Sequence, residues 1–142
     1  LASEWNVSAE VWSVTSFTEL AREAREVERW NRLHPLQAAR CSWAAECLAG
    51  PAPVIAATDY VRAWPQLIAN FINAPFVALG TDGFGRSDTR AALRRFFEVD
   101  RQHVVVAALS ALSAAGAVAN MMVAAAIERY GLAADARPPW TR

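Results

Sequence analysis

No lysine occurs among the 142 residues, and that absence alone removes the phosphate loop of nucleotide hydrolases, whose lysine reaches the β- and γ-phosphates. Cysteine is scarce as well. Cys41 and Cys47 are too few for a disulfide framework, and their spacing puts them on different faces of a helix. No set of Cys and His partners completes a zinc site, so buried or idle thiols in a reducing cytosol are expected. Charge of one sign is missing too: 14 basic residues balance 14 acidic ones, which leaves no basic field for nucleic acid or an anionic membrane. No signal peptide, internal repeat or low-complexity segment appears.

What the chain has is apolar residues, 54% of the total, enough for one domain with one core over residues 1–142. Val104 to Ile127 carries no charge and is long enough to span a bilayer. Ser110, Ser113, Gly116 and Asn120 interrupt it, with Gly116 closing one helical pattern and Asn120 opening the next, so two packed helices are expected there. Leu1 to Asn6 reads as the last turns of a helix with Asn6 as a left-handed terminator. The expectation is a fragment whose beginning has been cut away. From Asp135 the chain, with Pro138-Pro139, reads as a surface tail.

Three short runs, Val11–Thr15, Val54–Thr58 and Phe76–Leu79, have the length and β-branched or aromatic content of strands. Each precedes a helix signal. Ser16-Phe-Thr-Glu19 is a capping box, and its helix lines up Phe17, Leu20, Ala21, Ala24, Val27 and Trp30 on one stripe, with Arg22/Glu26 and Glu28/Arg32 pairs outside. Pro35 ends that helix, and a short one over Cys41–Leu48 precedes the break at Gly50-Pro51. Asp59 is the expected cap of a helix through Trp64 that Pro65 kinks or restarts. Ser87 or Asp88 is expected to cap a helix bearing Leu93, Phe96 and Phe97. Asp100 and Asn120 are expected to cap the last two helices, with Gly131 as terminator. Alternation of strands and helices implies a largely parallel sheet covered by helices. Thr15, Ser16, Thr58, Asp59, Thr81 and Asp82 fall at the carboxyl ends of its strands, where ligands gather in such sheets. All six also stand where helices need caps, and capping is the expected role.

The glycine-rich stretch Gly80–Asp88 fails each ligand template. Gly83-Phe-Gly85-Arg-Ser-Asp88 puts aspartate at the third glycine of a dinucleotide fingerprint, where it would repel a pyrophosphate. Asp82, Phe84 and Arg86 do not alternate as calcium ligands must. His34 and His103 form no nucleophilic constellation; His103 is expected to cap a helix or face solvent. Trp12 and Trp30 fall on core stripes. Arg90, Arg94 and Arg95 are expected on a solvated face, paired with Glu98 or Asp88. Arg86, between glycines and an acid, suits bidentate contact with a carboxylate.

Taken in order, "VWSVTSFTELAREAREVERWNRLHP", "PVIAATDYVRA", "LGTDGFGRSDTRAALRRFFEVD" and "VVVAALSALSAAG" resemble the C-terminal domain of the homodimeric bacterial pyruvate dehydrogenases, thiamine-diphosphate-dependent first components of their complex. The likeness runs from Leu1 to about Tyr130, and Gly80–Asp100 carries its most specific string. It implies an α/β fold of the transketolase C-terminal type: a three-layer α/β/α sandwich on a mixed, mostly parallel sheet. The first strand and most of the first helix would precede Leu1, and 132–142 would be a tail.

The resemblance also implies a cytoplasmic parent enzyme that decarboxylates pyruvate on thiamine diphosphate and reductively acetylates the lipoyl group of a dihydrolipoyl acyltransferase. That family holds magnesium diphosphate through a Gly-Asp-Gly motif in another domain. Thr81-Asp82-Gly83 lacks its leading glycine and following asparagine, so no catalytic, cofactor or metal residue carries over. "SAAGAVANMM" departs from the family's charged turn, adding two methionines as core or as a contact patch. Ile72-Asn-Ala-Pro75 replaces a more polar lead-in to the third strand. The expected role is assembly and support within the parent dimer, with Asp82, Gly83, Phe84, Gly85, Arg86, Ser87 and Asp88 as an interdomain loop. Two other expectations stand beside it: a free-standing doubly wound module that takes a small anionic ligand at the strand ends, and a membrane-associated hairpin at 104–127.

Overall fold

In the computed structural model, which describes residues 1–142, two parallel strands lie among seven helices. The strands are β1 (Val54–Ala57) and β2 (Phe76–Leu79), paired in register from Val54 opposite Phe76 to Ala57 opposite Leu79. The helices are α1 (Ala2–Trp5), α2 (Phe17–Leu33), α3 (Trp43–Cys47), α4 (Ala63–Gln66), α5 (Arg90–Phe96), α6 (Arg101–Ala114) and α7 (Asn120–Arg129). Single 3-10 turns occupy Ala69–Phe71 and Pro139–Thr141. The α/β class and the parallel pairing match the expectation.

The principal core is a small cluster of Ala21, Ile68, Ile72 and Ala74, with Phe17, Leu20, Val54 and Phe76 packed against it. Helix α2 thereby closes over the first pair of the sheet register. Its alanines let the helix approach closely, and both Ala21 and Ala24 are buried. Helix α6 runs along both strands and packs on α7, burying Ala108, Leu109 and Ala111. No helix is long and apolar enough to cross a membrane. The uncharged stretch instead bends at Gly116, whose φ of 74° is easy for glycine, into α6 and α7.

Local signals were honoured where the partner lies within one turn. Ser16 Oγ accepts from the Glu19 amide at 3.2 Å; the reciprocal half of the box does not form, because the Glu19 carboxylate goes to Arg22. Arg22 also reaches Glu26 at 2.8 Å, whereas Glu28 and Arg32 make no ion pair. Asp100 caps α6 through the His103 amide. Asn6 stands at φ 52° and ψ 36°, the left-handed terminator of α1. Gly131, at φ 57°, follows α7.

Several expectations are overturned. Val11–Thr15 is no strand: it has no ladder partner, and Val11 is 94% exposed. Backbone donors and acceptors form a strand only against a second one. Trp12 is exposed, and Trp30 leaves the core to stack on His34 at 4.4 Å. The ends of three helices are also reassigned. Thr89 caps α5 through the Ala92 amide. Ala119 precedes α7, while Asn120, inside it, accepts from the Ser113 hydroxyl. Helix α4 starts after Arg62 with no side-chain cap, and Pro65 falls in its first turn, where a missing amide costs nothing. Of the two methionines, Met121 is 77% exposed and so adds nothing to the core.

Candidate functional site

Both strands release the chain on the same side, and the two exits are stitched together beyond the ladder. Thr58 donates its amide to the Leu79 carbonyl at 3.0 Å, and Thr81 donates to the Tyr60 carbonyl at 2.9 Å. The approach is so close that a Cβ on Gly80 would lie 2.6 Å from the Tyr60 oxygen and 2.7 Å from the Arg62 nitrogen. Only glycine fits there. Thr81 Oγ1 donates to the Asp59 carbonyl at 3.1 Å, and Thr58 Oγ1 accepts from the Tyr60 amide. Of the six strand-end residues expected as helix caps, only Ser16 caps a helix. Thr58 and Thr81 tie the turns, and the aspartates face arginines.

Asp82 accepts the Arg62 amide on one oxygen at 2.9 Å and the Arg62 guanidinium on the other. Burial works to raise its pKa, but the backbone bond, the side-chain bond and the charge of Arg62 together hold it below the ordinary aspartate value. The same guanidinium lies 4.6 Å from the centre of the Trp140 ring. Next along the loop, Gly83 takes φ +103°, and a Cβ on it would stand 2.8 Å from the Trp140 Cα. The C-terminal residues run largely over the surface, as expected of a tail, but they dock on this loop. Pro139 is buried, Arg142 reaches Glu98 at 3.2 Å, and the segment clasps the loop across the Arg62–Asp82 pair.

The remaining loop residues diverge. Phe84 projects at 87% exposure. Arg86 lays its guanidinium over the Phe96 ring at 4.2 Å and joins none of the ion pairs. Ser87 is exposed, and Asp88 accepts the Thr89 amide at 2.7 Å. Asp82, Arg86 and Asp88 thus each face a different neighbour within this chain. Sequence reasoning missed the partners that matter. Asp59 holds Arg94 in a two-pronged contact of 3.1 and 2.8 Å, with Arg90 at 3.9 Å. The hydrogen bond from Arg94 lowers the Asp59 pKa, and Asp59 raises that of Arg94 in return. Arg95 turns to the carbonyls of Tyr130 and Gly131 and to Asp100, not to Glu98 or Asp88. The one local clue was that aspartate and arginines both cluster where the strands end.

These side chains enclose an open pocket of about 430 Å³, lined among others by Asp59, Thr81, Arg86, Arg90, Arg94 and Phe97. The residues do not fit magnesium diphosphate. Both oxygens of Asp82 are committed to Arg62, and no three His, Cys, Asp or Glu side chains converge on one point. His103 Nδ1 lies 2.7 Å from Asp100, an arrangement within the first turn of α6. Burial raises the Asp100 pKa, but the His103 amide and ring and the Arg95 charge outweigh it, so the carboxyl titrates low. Cys41 and Cys47 are free thiols, the first exposed.

Comparison with known proteins agrees with the architecture. The family model of the transketolase-like TK C-terminal domain matches residues 1–100. The chain is 53% identical over 133 residues to the pyruvate dehydrogenase E1 component of Cupriavidus necator, covering 93% of this chain and 15% of that protein. It is 49% identical over 141 residues to that of Pseudomonas aeruginosa, 98% of this chain and 16% of the relative. With that of Escherichia coli it shares 46% identity over 136 residues, 95% of this chain and 15% of the relative. The chain therefore spans about one sixth of the length of these curated relatives. On residues, fold and similarity together, the chain belongs to the transketolase-like C-terminal domain family.

Proposed function

We propose that this chain serves as the C-terminal assembly and support domain of a pyruvate dehydrogenase of the acetyl-transferring type. The observation that carries the reading is identity of 46–53% across nearly the whole chain to pyruvate dehydrogenase E1 components. In this reading the parent enzyme is a homodimer that decarboxylates pyruvate and passes the acetyl group to a lipoyl group on a dihydrolipoyl acyltransferase. Other domains hold its thiamine diphosphate and magnesium, and the cofactor supplies the carbanion chemistry there. This domain contributes surface, not reacting groups.

The surface supports that role. The chain exposes 9608 Å², whereas a compact monomer of 15.5 kDa is expected to expose about 7200 Å². Val11, Leu36, Phe84 and Met121 are among the large apolar side chains left exposed, and apolar surface of this kind is suited to contact with other protein. The loop Asp82–Asp88 presents Phe84 at its tip and is the proposed interdomain contact. Arg86→Ala and Phe84→Ala in the full-length enzyme are the test, read by dimer dissociation in sedimentation and by turnover. Weaker dimers with lower turnover are expected. Unchanged dimer stability and turnover in both variants would sink the loop assignment. A coding frame that meets a stop codon immediately before Leu1, instead of running on into a thiamine-diphosphate-binding region, would sink the parent assignment.

A further inference from the structure

We infer that the pocket where β1 and β2 end is a binding site for the phosphate group of a small phosphorylated metabolite, a function beyond structural support. The site stands at the carboxyl ends of two parallel strands, where loops diverge and leave a crevice. Three arginines line it, Arg86, Arg90 and Arg94, against two carboxylates, Asp59 and Asp88. The pocket therefore carries one net positive charge.

The two carboxylates do not consume the donors equally. Asp59 grips Arg94 with both oxygens but stands 3.9 Å from Arg90. Asp88 is turned to the Thr89 amide. Arg86 has no anionic partner and is braced on the Phe96 face. Arg86 from the loop and Arg90 from α5 thus line one cavity with no close carboxylate partner, while Arg94 is held by Asp59. A guanidinium fork matches two phosphate oxygens, and a tetrahedral dianion can accept from both forks together.

The alternatives fit less well. An incoming carboxylate carries one charge in one plane and occupies one fork, a place Asp59 already fills at Arg94. A nucleotide base would want a stacking surface, yet only Leu93 and Phe97 among the nine lining residues are apolar, and Phe97 is buried. A volume of about 430 Å³ lies in the range of small-ligand pockets. A compact, strongly anionic group is what remains.

The test is calorimetric titration of the full chain with inorganic phosphate and with glycerol phosphate, at constant ionic strength maintained with chloride. Saturable one-site binding is expected, weaker at pH 5 than at pH 8 because the dianion is the better ligand. Arg90→Gln and Arg86→Gln should each weaken it about tenfold, the loss of one charge-assisted contact. Arg32→Gln, on α2 and outside the pocket lining, should leave it unchanged. Arg90 is 78% exposed, so its substitution spares the core, and far-ultraviolet dichroism checks that the variants keep their helices. Tighter binding of glycerol phosphate than of inorganic phosphate is expected; the reverse would overturn the metabolite assignment. Non-saturating heats, equal affinity in both pocket variants, or acetate binding as tightly as phosphate would overturn the inference. None of these outcomes depends on turnover, so they stand apart from the support role.

Discussion

Val11–Thr15 and Phe76–Leu79 are similar on paper: short runs of β-branched and aromatic residues, each emptying into a polar turn before a helix. One becomes a strand and the other an exposed, unpaired segment. Propensity is not what separates them. Phe76–Leu79 has β1 alongside it in register, α2 and α6 packed near it, and beyond it a loop held by Arg62 and the C-terminal clasp. Val11–Thr15 has none of these, and its side chains remain in solvent. A strand is an agreement between two segments, and its sequence states only one side.

The comparison can be broken most severely at Gly80. Gly80→Ala drives a methyl group into the Tyr60 carbonyl and the Arg62 amide, and a loss of about 3 kcal/mol in denaturant unfolding is expected. Asp82→Ala comes next, at about 2 kcal/mol, because it orphans the Arg62 amide and guanidinium together. The Asp82 carboxyl has a lowered pKa in the fold. Its stabilisation is therefore complete above the unfolded aspartate value of about 3.9 and is lost as pH falls through the folded value. Acid titration of stability should show that loss in the parent chain, and a flatter curve in Asp82→Ala.

Removing Pro138–Arg142 should cost about 1 kcal/mol and open the loop to protease. In that truncated chain, Gly83→Ala should cost less than in the full chain, since the Trp140 backbone it would strike is gone. Equal costs in both would show that the clasp does not constrain the loop. The smallest effect belongs to the other region. Val11→Ser should change stability by less than about 0.5 kcal/mol, because the side chain is already in water.

How much of this was legible depended on distance along the chain. Ser16 to Glu19, Asp100 to His103 and the left-handed Asn6 are interactions within one turn, and residue identity nearly determines them. Where several capping residues stand together, as in Ser87-Asp88-Thr89, identity does not choose; the path of the loop selects Thr89. Asp59 is a capable cap that Arg94, 35 residues on, claims first. The candidate site was legible as a position, the strand ends, but not as a set of contacts. Arg86 looked for a carboxylate and found the Phe96 ring, and the supposed tail returned to cover Gly83. Within the string Gly80–Asp100, Gly80 and Gly83 answer to close backbone approach, which neighbouring residues alone do not reveal.

The contact between the chain's two ends has a kinetic consequence. Trp5 donates its indole N–H to the Tyr130 hydroxyl at 2.6 Å, and that hydroxyl donates to Glu4 at 2.7 Å. The partners are 125 and 126 residues apart, so this junction demands nearly the longest loop closure the chain can make. It is expected to form after the rate-limiting step of folding. Trp5→Phe should therefore hasten unfolding while leaving the refolding rate almost untouched, making the indole a timer for the last event of assembly.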